Sequence, residues 1–340
     1  AAVAAGSCDI AIGGDQGGSI RLPSAWCGVV GFKPTWGLVP YTGAASLDAH
    51  FDHLGPMAKT VRDVVDTLKV IAGKDGNDLR QLHAPNHKDA AFVSSLDAAM
   101  KQKDVSKLKI GVLKQAFVDC QDNVDEYVMN AVDALKAKQV VPVDVPLHDD
   151  AVAIWCAIGF SAQFLTMYLN GGLATLPRGK CDVGAVEAYM DGMENGLMKS
   201  SPTNITNIIA GEWMLKEYGA GYYAKGTELA RILKREYEKV MADNGLDVLI
   251  YPTIKHCAIA LPEDTDKVTP VECAEHAFGN VANTMPSNVT GHPTLQIPVG
   301  YHKKSGLPIG MSIVAKEYED AKCVHVANVY ENLRGPLKNL

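Results

Sequence analysis

Four glycines stand within six positions, and a serine follows them at once: Gly13-Gly14-Asp15-Gln16-Gly17-Gly18-Ser19. So dense a run costs backbone entropy, and a chain carries it where the backbone must turn tightly or lie close against a ligand. The consecutive amides of Gln16, Gly17, Gly18 and Ser19 suit an anion-binding nest, the arrangement that stabilises the negative oxygen of a tetrahedral intermediate. Ser19 is then the candidate nucleophile. The G-x-x-x-x-G-K-[ST] phosphate loop is absent, the order is not the G-x-G-x-x-G of a dinucleotide site, and Gly17-Gly18-Ser19-Ile20-Arg21 is not the G-x-S-x-G elbow.

Around this loop the hydrophobic periods alternate. Thr60–Ala72 predicts a helix, with Val61, Val64, Val65, Leu68 and Ile71 on one face, Thr60 and Asp63 at capping-box spacing and Gly73 as a stop. Strands are expected at 108–113 and 140–145, around a helix whose face holds Val124, Tyr127, Val128, Ala131 and Leu135, and further strands at 248–251, 295–299 and 309–314. The turn Lys303-Lys304-Ser305-Gly306 makes a hairpin of the last two, and a closing helix carries Cys323, Val326, Ala327 and Tyr330. The fold class is α/β: a large mixed central sheet with helices on both faces. No linker divides the chain, so 1–340 reads as one domain, with 151–242 mostly helical and placed over one end of the sheet. Ala1–Gly6 reads as the body of a buried helix without a cap, so the chain is expected to begin in mid-fold with its N-terminal portion missing.

A net charge of −7 excludes a protein that relies on neutralising phosphates, so no nucleic-acid partner is expected. No stretch is read as the roughly 18 apolar residues that span a bilayer, which predicts a soluble, cytoplasmic protein with no membrane partner. The cysteines at 8, 27, 120, 156, 181, 257, 273 and 323 show neither C-x-x-C pairs nor zinc spacing and are expected as reduced thiols. No metal or cofactor is implied. His83 and His87 straddle Pro85, Asp48, Asp52, Asp119, Asp122, Asp125 and Glu126 read as a solvated acidic face, and Trp213 with Tyr218, Tyr222 and Tyr223 reads as aromatic packing between helix and sheet. Asn204 and Asn288 open glycosylation sequons short enough to recur by chance.

The stretch GGDQGGSIRLPSAWCGVVGFKPTWGLVP resembles the signature of the amidase-signature family, from the glycine turn through the serine to a G-x-K-P-T segment. The resemblance continues through His53-Leu54-Gly55-Pro56 to Asn283-Thr284, Thr290-Gly291-His292-Pro293 and Gly306-Leu307-Pro308, and its wording is similar to stand-alone bacterial amidases that follow nitrile hydratase. It implies hydrolysis of a small carboxamide through an acyl-enzyme on Ser19, with Gln16, Gly17 and Gly18 in the oxyanion hole and Asp15 and Arg21 bracing the loop. It also implies a second serine and a base lysine upstream of the nucleophile. No lysine precedes Ser19 here, and Lys33 belongs to the structural G-x-K-P-T segment, so this chain alone is expected to be nearly inactive. The helical block 151–242 is the expected source of substrate contacts, and a homodimer is allowed. The alternatives are the A component of a tRNA-dependent amidotransferase and a non-catalytic binding protein on the same fold.

Overall fold

The computed structural model describes residues 1–173, 182–261 and 268–337. In chain order its elements are β1 (Ile10–Gly14), α1 (Arg21–Cys27), β2 (Val30–Lys33), β3 (Leu54–Ala58), α2 (Val61–Ile71), α3 (Ala90–Lys101), β4 (Lys109–Leu113), α4 (Val124–Leu135) and β5 (Gln139–Val143). The helical block follows as α5 (Ala151–Gln163), α6 (Val183–Gly196), α7 (Pro202–Tyr218) and α8 (Gly221–Asp243). Then come β6 (Val248–Pro252), α9 (Pro270–Gly279), α10 (Met285–Thr290), β7 (Thr294–Tyr301), β8 (Pro308–Val314) and α11 (Asp320–Arg334). The expected helix at 60–72 forms as α2, where the Thr60 hydroxyl accepts from the Asp63 amide (3.1 Å) and Gly73 follows at φ +108°.

Among the described residues, eight strands form one mixed sheet in the order β1-β3-β2-β7-β8-β6-β4-β5. β4 pairs parallel with β5 and β6, whereas β7 and β8 make the antiparallel hairpin that the turn at 303–306 predicted. Successive side chains of a strand point to opposite faces, and here the two faces differ in kind. Phe32, Leu295, Ile297, Met311, Ile313, Ile250 and Ile110 share one buried cluster with residues of α2, α4 and α11. Leu113, Leu249, Tyr251 and Val314 point the other way and pack with α5, α8 and α10. Farther along this second face, toward β2, the buried residues turn polar: Ser312, Gln296, Thr294 and Lys33. That polar stretch lies where α1 packs on β2, β7 and β8.

Three expectations are corrected. Ala1–Gly6 is a turn closed by the Ala5 amide on the Ala1 carbonyl (2.9 Å), and of its residues only Val3 is buried, so it is no buried helix. The stretch around the glycine loop, for which no element was expected, holds β1, α1 and the start of β2; β1 is five residues long and ends on two adjacent glycines, so it carries no period-2 signal. Finally, Ala151–Leu169, which is α5 and its π-helical extension, has no Asp, Glu, Lys or Arg over 19 residues and is long and apolar enough to cross a membrane. In the fold that helix packs against α7, α8 and α10, so burial on several sides accounts for its composition.

The α5–α7 crossing depends on a close approach, since a Cβ on Gly211 would overlap the Phe160 carbonyl oxygen. Gly211→Ala is expected to lower stability by about 1–3 kcal/mol, the usual cost of overpacking, as read by urea unfolding.

Candidate active site

The glycine loop joins β1 to α1, and a buried ion pair closes it. Arg21, the first residue of α1, meets Asp15 through Nε to Oδ2 (2.9 Å) and Nη2 to Oδ1 (2.8 Å), and both side chains have no solvent exposure. The rest of the guanidinium donates to the Thr284 carbonyl (2.8 Å), the Ser287 hydroxyl (2.6 Å) and Asn288 Oδ1 (2.7 Å). Five bonds match the five donors of an arginine, so the buried cation is fully satisfied. Asp15 also accepts from the Gly18 amide (2.8 Å), the Ile20 amide (3.2 Å) and Asn288 Nδ2 (2.8 Å). Burial by itself would push this carboxyl up, but the Arg21 charge and hydrogen bonds outweigh it and hold the group far below the usual carboxylate range.

Three consecutive loop carbonyls are held from outside. Asn288 Nδ2 donates to Asp15 O (2.8 Å), Trp155 Nε1 to Gln16 O (2.7 Å) and Thr284 Oγ1 to Gly17 O (2.6 Å). Gly18 adopts φ +134°, and a Cβ there would collide with the Thr284 side chain, so glycine is required on both counts. Of the four amides expected to converge, that of Gly18 is taken by Asp15 and leaves the donor set. The amides of Gln16, Gly17 and Ser19 have no acceptor among the described residues. Ser19 is exposed, and its hydroxyl makes no hydrogen bond among the described residues. The Gln16 side chain turns away to Tyr41 Oη (2.6 Å) and Asp52 (3.4 Å).

Lys33 lies under this loop on the polar face of the sheet, fully buried, with Nζ donating to the carbonyls of His292 (2.7 Å) and Pro34 (3.4 Å). Burial, then the nearby Arg21 charge, pushes its pKa down to about 7. Its amine thus serves the backbone of the turn before β7. The neighbouring His292 bonds Thr290 Oγ1 (2.8 Å) and is pushed down to about 3 by burial.

Other residues singled out from the sequence scatter. Asp48 and Asp52 are buried rather than solvated: Asp48 accepts from Tyr223 Oη (2.9 Å) and bonds His50 Nδ1 (2.8 Å), while Asp52 takes the Ser46 hydroxyl and the Leu47 amide. Asp119, Asp122 and Glu126 are exposed, as expected. Trp213, Tyr218 and Tyr222 form an exposed aromatic chain on α7 and α8 instead of filling a helix–sheet junction, and only Tyr223 reaches inward. The described cysteines are free thiols, and Cys181 lies outside the described residues. Trp155 and Ser287 carried no signal in the sequence, and Asn288 showed only as a sequon that burial closes to sugar.

A family model described as amidase matches residues 1–324. The chain is 33% identical over 343 residues to an enantioselective amidase of Rhodococcus rhodochrous, covering 98% of this chain and 63% of that protein. It is 30% identical to the A component of the glutamyl-tRNA(Gln) amidotransferase of Prochlorococcus marinus (strain MIT 9215), over all of this chain and 67% of the relative. Among solved structures, the native peptide amidase of Stenotrophomonas maltophilia superposes with a TM-score of 0.72 at 25% identity, over 99% of this chain and 65% of that one. The chain therefore spans about two thirds of the length of the relatives it matches.

Asp15→Asn leaves the Arg21 charge buried without its partner and is expected to cost about 3–5 kcal/mol, measured by urea unfolding at neutral pH. Lys33 gives a pH signature. Unfolded, it holds its proton up to about pH 10.4; folded, it releases it near 7. Between those values only the unfolded state is protonated, so the wild type loses stability as pH falls through the window, by up to about 1.4 kcal/mol per unit. Lys33→Met lacks that slope, and its stability relative to wild type is expected to be higher at pH 7.5 than at pH 10.

Proposed function

The chain belongs to the amidase family, and on that premise we propose that it carries the nucleophile and oxyanion site of a carboxamide hydrolase. Ser19 Oγ attacks the carbonyl carbon of a small amide; the carbonyl oxygen becomes an oxyanion and is met by loop amides that have no acceptor among the described residues. The tetrahedral intermediate collapses, the C–N bond breaks, and ammonia or an amine leaves with a proton. Water then attacks the acyl-enzyme on Ser19 and releases the carboxylic acid. The observation that carries this reading is the pairing of an exposed serine hydroxyl with a loop whose carbonyls are tied down on the far side of their peptide planes.

A serine hydroxyl needs a base. Lys33 is committed to two backbone carbonyls, and no lysine lies in residues 1–18. The lysine and second serine that the family resemblance implies are expected ahead of Ala1, with the lysine kept neutral by desolvation. The helical block from α5 to α8 is the proposed source of acyl-pocket contacts. Likeness to the A component of an amidotransferase supports a second reading, in which the same serine releases ammonia from glutamine for a partner protein. Glutamine-dependent ammonia release together with copurifying partner proteins would select it.

Fluorophosphonate treatment of the full-length protein is expected to label Ser19, and Ser19→Ala to abolish labelling and lower amide turnover by about 10⁴-fold or more. Labelling that survives in that variant refutes the assignment. A polypeptide of residues 1–340 alone is expected to show a loss of similar size, because the base and its serine act with the nucleophile as a unit.

A further inference from the structure

We propose that Trp155 is a positioning residue for the oxyanion donors, an inference that rests on the reading of Ser19 as nucleophile. A trans peptide is planar, so the carbonyl of one residue and the amide N–H of the next point in opposite directions. The indole Nε1 donates to Gln16 O at 2.7 Å, and in holding that oxygen it fixes the direction of the Gly17 N–H, one of the amides with no acceptor among the described residues. Gly17 has no side chain to resist rotation of this peptide, so the restraint has to come from outside.

Asn288 and Thr284, which hold the flanking carbonyls, stand in and beside α10, the segment that also anchors Arg21. Trp155 comes instead from α5, in the helical block. Its ring stacks on Phe51 (centroids 5.3 Å apart, planes at 16°) and meets Phe160 and Phe278 at 6.3 Å and 6.2 Å. A Cβ on Gly159 would come within 2.8 Å of the ring, so no larger residue fits on the next turn of α5. The indole is thus clamped by the chain before β3, by α5 and by α9. Through it, the position of the helical block sets the orientation of a catalytic amide.

The test compares Trp155→Phe, which keeps an aromatic ring and removes the N–H, with replacement of Trp155 by β-(3-benzothienyl)alanine, which exchanges only N–H for sulfur in the same ring shape. Both are made in the full-length protein. The readouts are kcat and KM for an amide, and affinity for an aldehyde that adds to the serine as a tetrahedral oxyanion, set against affinity for an unreactive ground-state analogue. Removing an oxyanion donor outright costs about 10²–10³ in kcat; for a donor left unrestrained we expect about 10- to 100-fold. Aldehyde affinity is expected to fall in parallel, while KM and ground-state affinity move less than about threefold. If the benzothienyl protein keeps kcat and aldehyde affinity within about twofold of wild type, the proposal is overturned. Activity retained in Ser19→Ala would instead remove the underlying reading.

Discussion

The Asp15–Arg21 pair is the constraint from which the geometry of the loop follows. Two charges with no solvent exposure are tolerable only when each is matched, and here the guanidinium uses all five donors while the carboxylate collects five. A buried pair of this kind adds little net stability over an apolar substitute; what it supplies is a single arrangement, because any other leaves a charge unmatched. Since two of the carboxylate's acceptances come from the amides of Gly18 and Ile20, the pair bends the backbone around Ser19. Its other contacts, to Thr284, Ser287 and Asn288, bind that bend to a segment more than 260 residues away.

The sheet beneath explains where such a site can be built. One face is apolar across β2, β7, β8, β6 and β4, and the cluster on it supplies the hydrophobic stabilisation of a core. The opposite face is apolar only toward β6 and β4 and becomes polar toward β2, with Lys33, Thr294, Gln296 and Ser312 all buried under α1. Interior polar groups are costly unless partnered; here Lys33 and Thr294 donate to the His292 carbonyl in the turn before β7, and Ser312 bonds Thr253. The fold therefore gives one face of the sheet wholly to apolar packing and divides the other between a second apolar cluster and these buried polar groups.

The major elements are legible where a period is long enough to read. α2, α4 and α11 show helical spacing, and β7 and β8 are apolar at every second position around a turn-forming sequence. β1 and β3 are not legible, because Gly13, Gly14, Gly55 and Pro56 interrupt any alternation. α5 reads as unremarkable although it has no charge over its length, since composition does not show whether helices or lipid surround it. Asp48 and Asp52 look solvated for a related reason: burial of a carboxylate depends on partners such as Tyr223 and Ser46 that no local pattern announces.

By itself the sequence determined the chemistry on offer: a glycine-dense turn ahead of a serine, flanked by opposite charges, in a chain of alternating strands and helices. Those are local properties, set by backbone freedom, residue type and spacing. Tertiary structure alone decided that Asp15 consumes the Gly18 amide, that Asn288, Trp155 and Thr284 hold three successive carbonyls, and that Lys33 serves the backbone. Each of those facts depends on how distant segments pack, and a hydrogen bond's direction is fixed only once both ends have been set in place.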